Sequence, residues 1–221
     1  KNGSVDGDST KSVVYKNDVT FNLVPDADWA LGSVTCTNDQ SASIDNKVLT
    51  VKSVTKKTTC TVNYRTSVTT LFNDGTLIIN ESAKDRVSNI SEHGKVVKDY
   101  NAIGDSASYV MTDSSSQPWK DERDNIKSVE IGQNITPTST AFWFMDLKNM
   151  EKGDFTNLDT SNVTDMSYMF AGAGSEVKTF VMDLSKFNTS KVTNMTHVVS
   201  SVGYNATTFS IGDLSDWDVS K

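Results

Sequence analysis

Apolar and polar positions alternate in the first part of the chain. In "DVTFNLV", residues 18 to 24, Val19, Phe21 and Leu23 occupy every second position, the period of a strand with one buried face. "GSVTCT" repeats the alternation through Val34 and Cys36, "KVLTVK" through Leu49 and Val51, and "TCTVNY" through Cys60, Val62 and Tyr64. These strands can all face one core. Asp45-Asn46, between "SASI" and "KVLTV", predicts a hairpin turn, because Asn and Asp tolerate the left-handed backbone such a turn uses. After Arg65 the pattern changes. "SVTTLFNDGTLIIN" predicts two strands about Asn73-Asp74-Gly75, and the chain then runs polar to about residue 116 with Val96, Val97 and Tyr100 as scattered anchors. "PWKDERDNIKSVEIGQNI" predicts a turn or short helix followed by a strand carrying Ile126, Val129 and Ile131.

The last third repeats itself. "NLDTSNVTDMSYMF" begins at residue 157 and "KFNTSKVTNMTHVV" at residue 186, so Val163, Met166 and Phe170 align with Val192, Met195 and Val199. Further on, Phe180 aligns with Phe209, and Leu184 with Leu214 after a one-residue insertion. A degraded earlier copy starts at Ile135 in "ITPTSTAF". Apolar residues at i, i+3, i+6 and i+7 within each copy predict one face of a short helix, capped by Thr160-Ser161-Asn162 or Thr189-Ser190. A strand such as "TFVMDLS" would return the chain. Copies of about 28 to 30 residues made of one strand, one bend and one helix predict an α/β solenoid, whose units bury their apolar faces only on one another. Val163, Met166, Phe170, Val192, Met195, Leu184 and Leu214 form its expected core. Constant spacing in several copies fits packing and does not fit a catalytic signature.

Length fits two modest domains within 221 residues. The expected division is a linker at 1–11, a small all-β module at 12–66, an opening cap at 67–134 and repeats over 135–221. The polar start "KNGSVDGDSTKS" has no signal-peptide stretch, and the chain reads as a trimmed piece of a longer protein. A net charge of -7 and the absence of a basic cluster exclude general affinity for nucleic acid, and no apolar run reaches the roughly 18 residues a membrane helix needs. Cys36 and Cys60 both lie on inward phases of their strands in a domain too small to forgo a staple, so a disulfide is the economical reading and two buried thiols the alternative. A disulfide implies an oxidising compartment.

Two family resemblances attach to these residues. "SVTCTN" followed by "LTVKSVTKKTTCTV" resembles the small Cys-paired β-repeat of secreted surface proteins of Gram-positive bacteria, over about residues 12 to 65. It implies an immunoglobulin-like or related module used as a spacer or binding unit. "LDTSNVTDMSYMF" and "LSKFNTSKVTNMTHVV" resemble the repeat of BspA-like leucine-rich-repeat surface proteins of bacteria, and "GTLII" with "PWKDERDNIKSVEIG" resembles the segment that opens such arrays. That resemblance covers about residues 68 to 221 and implies an extracellular solenoid, often an adhesin or host-interaction protein. The chain departs from the usual pattern in its longer period and in Pro137 within the first copy.

Candidate chemistry is sparse. His93 and His197 have no Cys or His partner at metal-ligand spacing, and "DGDST" lacks the glutamate of a calcium loop, so no metal and no cofactor is expected. There is no G-x-S-x-G and no phosphate-cradling glycine loop; "AGAGS" at 171–175 reads as a bend. A glycosidase pair of carboxylates has nothing specific behind it, and the Asn-x-Ser/Thr triplets, Asn162 and Asn194 among them, follow from composition. No enzymatic activity is expected. Three consecutive aromatics in "AFWFM" cannot all face one core, which makes Trp143 a candidate binding residue beside the column Thr140, Tyr168 and His197. The sequence therefore points to an extracellular or cell-surface bacterial protein that binds a host or neighbouring-cell protein or glycan. A passive stalk is the rival, and a glycan hydrolase a distant third.

Overall fold

The computed structural model describes residues 3–6, 9–25, 30–45, 47–65, 67–100 and 110–221, and the chain divides into two units, Lys1–Ser67 and Val68–Lys221. In the first unit β1 (Gly3–Asp6), β2 (Val19–Pro25), β4 (Ala42–Asp45) and β5 (Val48–Val51) form an antiparallel sheet in the order β1-β2-β5-β4. β3 (Ala30–Cys36) and β6 (Cys60–Arg65) form a separate antiparallel ribbon. The alternation seen in sequence lands as expected: Leu23, Leu49 and Val51 are buried, and Val34, Cys60 and Val62 of the ribbon pack against them. Cys36 and Cys60 face each other in the ribbon register and are disulfide-bonded. Among the described residues the strands make a four-stranded sheet and a two-stranded ribbon, which replaces the immunoglobulin-like expectation. The bond joins directly opposed residues of that one ribbon, at the end where the β3–β6 pairing stops. Part of the expected linker is also structured, since β1 pairs with β2 from Gly3↔Pro25 to Asp6↔Asn22. Asn46 of the expected turn, and Gly7 and Asp8 of "DGDST", lie outside the described residues.

The second unit is built on a seven-stranded sheet in the order β13-β12-β11-β10-β8-β7-β9. Its members are β7 (Ser67–Phe72), β8 (Thr76–Ser82), β9 (Val96–Tyr100), β10 (Ser128–Ile131), β11 (Lys152–Asp154), β12 (Thr179–Met182) and β13 (Thr208–Ser210). From β8 through β13 neighbouring strands are parallel, each supplied by the next segment of chain. Gly75, at φ 94°, closes the turn after β7 with its N–H on the Phe72 carbonyl at 3.1 Å. One core runs through the unit, from Leu71, Leu77 and Ile79 through Trp119, Trp143 and Phe144 to Phe170, Phe180 and Phe187.

The repeats stack, but the α/β leucine-rich-repeat solenoid is not what they form. Among the described residues of 135–221 there is no helix, and the unit is mostly sheet and turns. The segment expected to be helical is a row of consecutive turns in which alternate amides point two ways. Met169, Ala171 and Ala173 donate back three residues, to Met166, Tyr168 and Phe170, at 2.9 to 3.2 Å. Met166, Tyr168, Phe170 and Gly172 donate instead to Asn194, Thr196, Val198 and Ser200 of the next copy, at 2.8 to 3.0 Å. An α-helix would spend every amide within its own segment. Tyr168, Gly172 and Gly174 have φ of 56°, 75° and 63°, which interrupts any right-handed helix. At Gly174 a Cβ would stand 2.0 Å from Cδ2 of Phe180, so the backbone here passes directly against the core ring. The apolar residues of the phrase are nevertheless inside: Val163, Met166, Phe170 and Leu184 are fully buried, Val192 is 2% exposed, and Met195 and Leu214 are half-buried at the far end. The one α-helix among the described residues, α1 (Arg86–His93), lies where the sequence shows no apolar periodicity.

Asx turns hold the corners. Asp159 accepts from the Ser161 N–H at 2.9 Å, Asp183 from Ser185 at 2.9 Å, Asn188 from Ser190 at 3.0 Å, Asp213 from Ser215 at 2.9 Å and Asp218 from Ser220 at 3.0 Å. Between copies, Thr160 is buried and its Oγ1 accepts from the Asn188 N–H at 2.7 Å while donating to the Asn188 carbonyl at 3.1 Å. Thr189 takes the Asp218 N–H at 2.7 Å in the same way. Thr160, expected as a helix cap, is thus a tie between neighbouring copies.

Candidate functional site

The binding residues chosen from sequence separate in the structure. Trp143 is fully buried, with its ring edge-on to Phe144 at 6.1 Å, and is not a surface residue. Of the three consecutive aromatics the outward one is Phe142, at φ 63°. Thr140 is also fully buried. The first copy is offset from the second by 26 positions, as the Thr164 hydroxyl on the Thr138 carbonyl shows, and the second from the third by 29, so Phe142 takes the place expected for Thr140.

Phe142, Tyr168 and His197 consequently form the surface column. Phe142 and Tyr168 stack at 5.2 Å with planes 6° apart, and Tyr168 meets His197 at 5.0 Å. All three hold positive φ, a backbone that aims the side chain outward from the turn row. Phe142 and Tyr168 cover one face of each other, and His197, exposed, meets Tyr168 at a tilt of 40°.

A concavity lies beside the start of the column. Lys120, Asp121, Arg123 and Asp124, from the 3-10 segment Lys120–Asn125, together with Asp146 and Lys148 of the first turn row, line a cleft of about 380 Å³. Gln117 joins the two walls. Its side chain is buried, its Nε2 donates to the Phe142 and Met145 carbonyls at 2.6 and 2.9 Å, and its Oε1 accepts from Arg123 Nε at 2.6 Å. The Arg123 guanidinium donates also to the Ser114 carbonyl, so it is held in place before any ligand arrives. Opposite it, Asp146 at φ 60° sits against Gly172, where a Cβ would stand 2.9 Å from Asp146 Oδ1. Lys148 Nζ reaches Glu176 at 3.6 Å. Three cations and three carboxylates line a cleft of ligand size, and their donors and acceptors can be met together by a polar partner.

A second polar cluster lies under α1. Glu81 is fully buried, accepting from Asn89 Nδ2 at 2.9 Å and from the Arg86 guanidinium at 3.0 Å. Arg86 also bridges to Asp99 at 3.0 Å, and the Thr70 hydroxyl, within reach of both carboxylates, has one proton to give. Burial pushes the Glu81 carboxyl above the ordinary range, against the opposing pull of Arg86 and of the Thr70 and Asn89 hydrogen bonds. At the other end of α1, His93 Nδ1 meets Asp74 at 3.0 Å and its ring lies 5.6 Å from Phe72. Burial raises Asp74, but the Thr76 N–H and His93 outweigh it and leave the carboxyl below its ordinary value. Residues 86, 89 and 93 form the docked face of α1 and are all polar, while Val87 and Ile90 face solvent. The pairing of these groups was not visible in the sequence, where the stretch after the strand ending near Asn80 runs polar to about residue 116. The network anchors a helix and presents no free nucleophile. Among the described residues no group of three His, Cys, Asp or Glu side chains could hold a metal ion, and no helix is long and apolar enough to cross a membrane.

Residues 135–221 match the family model described as "Mycoplasma protein of unknown function, DUF285". The match covers the turn rows and their strands, less than half of the chain, and it brings no activity with it. No curated protein and no solved structure matches the chain.

Proposed function

We propose that the chain belongs to an extracellular bacterial surface protein whose second unit binds a protein or glycan in an adhesive contact, with the charged cleft at Arg123 as the ligand seat. The observation that carries this reading is the held guanidinium: Arg123 is fixed by Ser114 and by Gln117, itself anchored on Phe142 and Met145, at the wall of a cleft of about 380 Å³. A polar ligand with hydroxyl or amide groups and an anionic substituent matches the mixed lining. The Cys36–Cys60 disulfide supports an oxidising location, and the match of residues 135–221 to a Mycoplasma family supports a bacterial source. The resemblance to surface proteins of the BspA-like class points the same way.

A stalk reading keeps one specific support: Phe142 stacks on Tyr168 and Tyr168 meets His197, contacts that tie neighbouring copies together as a structural ladder does. Glycan and host-protein arrays separate the two readings. The wild-type chain should capture a restricted set of acidic or polar ligands, and Lys120→Glu with Lys148→Glu should abolish capture without altering the melt. Capture that is absent, or indifferent to the two charge reversals, sinks the cleft reading and leaves the stalk.

A further inference from the structure

We infer that the cleft at Arg123 takes a zwitterion, a ligand that carries a primary ammonium beside its anionic group. This rests on the cleft reading and narrows the ligand that reading admits.

One wall of the cleft follows from local sequence. "KDERDN", residues 120 to 125, forms the 3-10 segment Lys120–Asn125, and in a 3-10 helix side chains three positions apart eclipse one another. The six residues therefore sort into three columns: Lys120 with Arg123, Asp121 with Asp124, and Glu122 with Asn125. The third column is closed on itself, since Asn125 Nδ2 donates to Glu122 at 2.7 Å, and it takes no part in the lining. The other two line the cleft, one cationic and its neighbour anionic. The opposite wall repeats both signs through Asp146 and Lys148. Asp146 lies against Gly172 of the next row, where a Cβ would stand 2.9 Å from Asp146 Oδ1. A larger residue at 172 would crowd the carboxylate.

These charges do not neutralise one another. Among the described residues the ion pair made by a lining group is Lys148 with Glu176 at 3.6 Å, and Glu176 is outside the lining. Arg123 is half-buried, and the partners that fix its guanidinium, Gln117 Oε1 and the Ser114 carbonyl, are neutral oxygens. Its position is set while its charge stays uncompensated, which favours an anion at this place. An anion alone, however, would face Asp121, Asp124 and Asp146 within a cleft of about 380 Å³, and like charges set together are repelled. A second group of positive charge on the ligand turns that repulsion into attraction. All six lining residues are charged and supply no aromatic face for a quaternary ammonium, so the cation that fits is one with N–H donors for the carboxylates. Phosphorylated amines and amino acids share this chemistry.

Titration calorimetry on the full chain tests the inference, with O-phosphoethanolamine and β-alanine as zwitterions and inorganic phosphate, propionate and ethanolamine as their singly functional halves. At least one zwitterion should bind about fivefold or more tightly than either of its halves, the factor that one exposed ion pair supplies. Asp121→Asn with Asp124→Asn, both at exposed positions and close in shape to the native side chains, should lower that zwitterion to the level of its anionic half and leave the melt unchanged. Preference for O-phosphoethanolamine assigns the anionic group to a phosphate and preference for β-alanine to a carboxylate, and either upholds the inference. A half that binds as tightly as its zwitterion overturns it, as does a double variant that binds the zwitterion with native affinity; in both cases an anion seat at Arg123 survives. Absence of binding by all five probes also overturns it, and the glycan and host-protein arrays then decide the cleft reading separately.

Discussion

Thr160→Val removes one hydroxyl and nothing else: the side chain keeps its branch and nearly its volume, at a site 2% exposed. The hydroxyl of Thr160 serves both the N–H and the carbonyl of Asn188 in the next copy, at 2.7 and 3.1 Å. Leaving one buried polar group unpaired costs about 1–3 kcal/mol. Two are orphaned here, but the Asn188 side chain is exposed and water can reach part of the gap, so about 2 kcal/mol is expected in place of twice the single value. For a unit the size of Val68–Lys221 that corresponds to a melting temperature lower by about 4 to 8 °C. Thr164→Val is the control. Its hydroxyl donates to the Thr138 carbonyl at 3.3 Å, also between copies, but the residue is exposed and solvent replaces the bond, so less than about 0.5 kcal/mol is expected. Urea melts followed by tryptophan fluorescence measure both. Equal stability losses in the two variants would refute the assignment of Thr160 as a buried tie, since the variants differ chiefly in what water can repair.

Met166→Asp, at a fully buried site, should cost at least about 4 kcal/mol and abolish the cooperative melt, whereas Met195→Asp at the half-open end should cost about 1–2 kcal/mol; equal losses would mean the last row is covered. Tyr168→Gly should be nearly neutral, because loss of the stack on Phe142, about 0.5–1.5 kcal/mol, is offset by relief of a positive φ worth a similar amount; a loss above about 2 kcal/mol in the same melt refutes that balance. The carboxyls of Asp159, Asp183, Asp213 and Asp218 are held below the ordinary range by the backbone N–H and hydroxyl groups of Ser161, Ser185, Ser215 and Ser220. A lowered folded-state value means the stabilisation is present above the unfolded carboxyl range, near pH ~4, and is lost as pH falls through the folded values. Glu81 and Glu130, raised by burial, act in the opposite sense: their contribution is present at acid pH and is lost as pH rises through the folded values. Acid melts should therefore lose stability below pH ~4, and Asn at the four Asp positions, which keeps the turns without titrating, should flatten that limb; parallel curves for the two proteins would remove the Asx turns as its cause.

The strands of the first unit were legible because a half-buried strand writes its period directly, and Val19, Phe21, Leu23, Leu49, Val51 and Val62 all fall on the expected phase. The Cys36–Cys60 pairing was legible for the same reason. In the second unit the identity of the core residues was legible and their backbone was not. Apolar residues at i, i+3 and i+7 report which side chains share a face, and a row of turns with i−3 hydrogen bonds satisfies that spacing as well as a helix does. Signals against a helix were present in Gly172 and Gly174 and in the recurring Asx-x-Ser/Thr triplets, which favour corners over helix interiors. They were offset by Tyr168 and His197, large residues that seldom take a positive φ and so conceal the turn beneath them.

The same alternation explains why the binding column was displaced. In a helix the residue after Ala141 and the residue after that lie on neighbouring parts of one cylinder, so Trp143 and Phe142 compete for the surface on nearly equal terms. In a turn row the choice is binary, because the residue at positive φ points out and its neighbour points in. Phe142 therefore joins Tyr168 and His197, and Trp143 enters the core beside Phe144. The cleft had no periodic signal at all. Its walls come from 120–124 and 146–148, and what joins them is the side chain of Gln117, whose two carbonyl partners belong to the first turn row. A residue that ties a non-repeating segment to the first turn row through its own side chain has no repeat-mates in sequence, and it is at such a break in the repeat that the chain places a held guanidinium beside open, unpatterned charge.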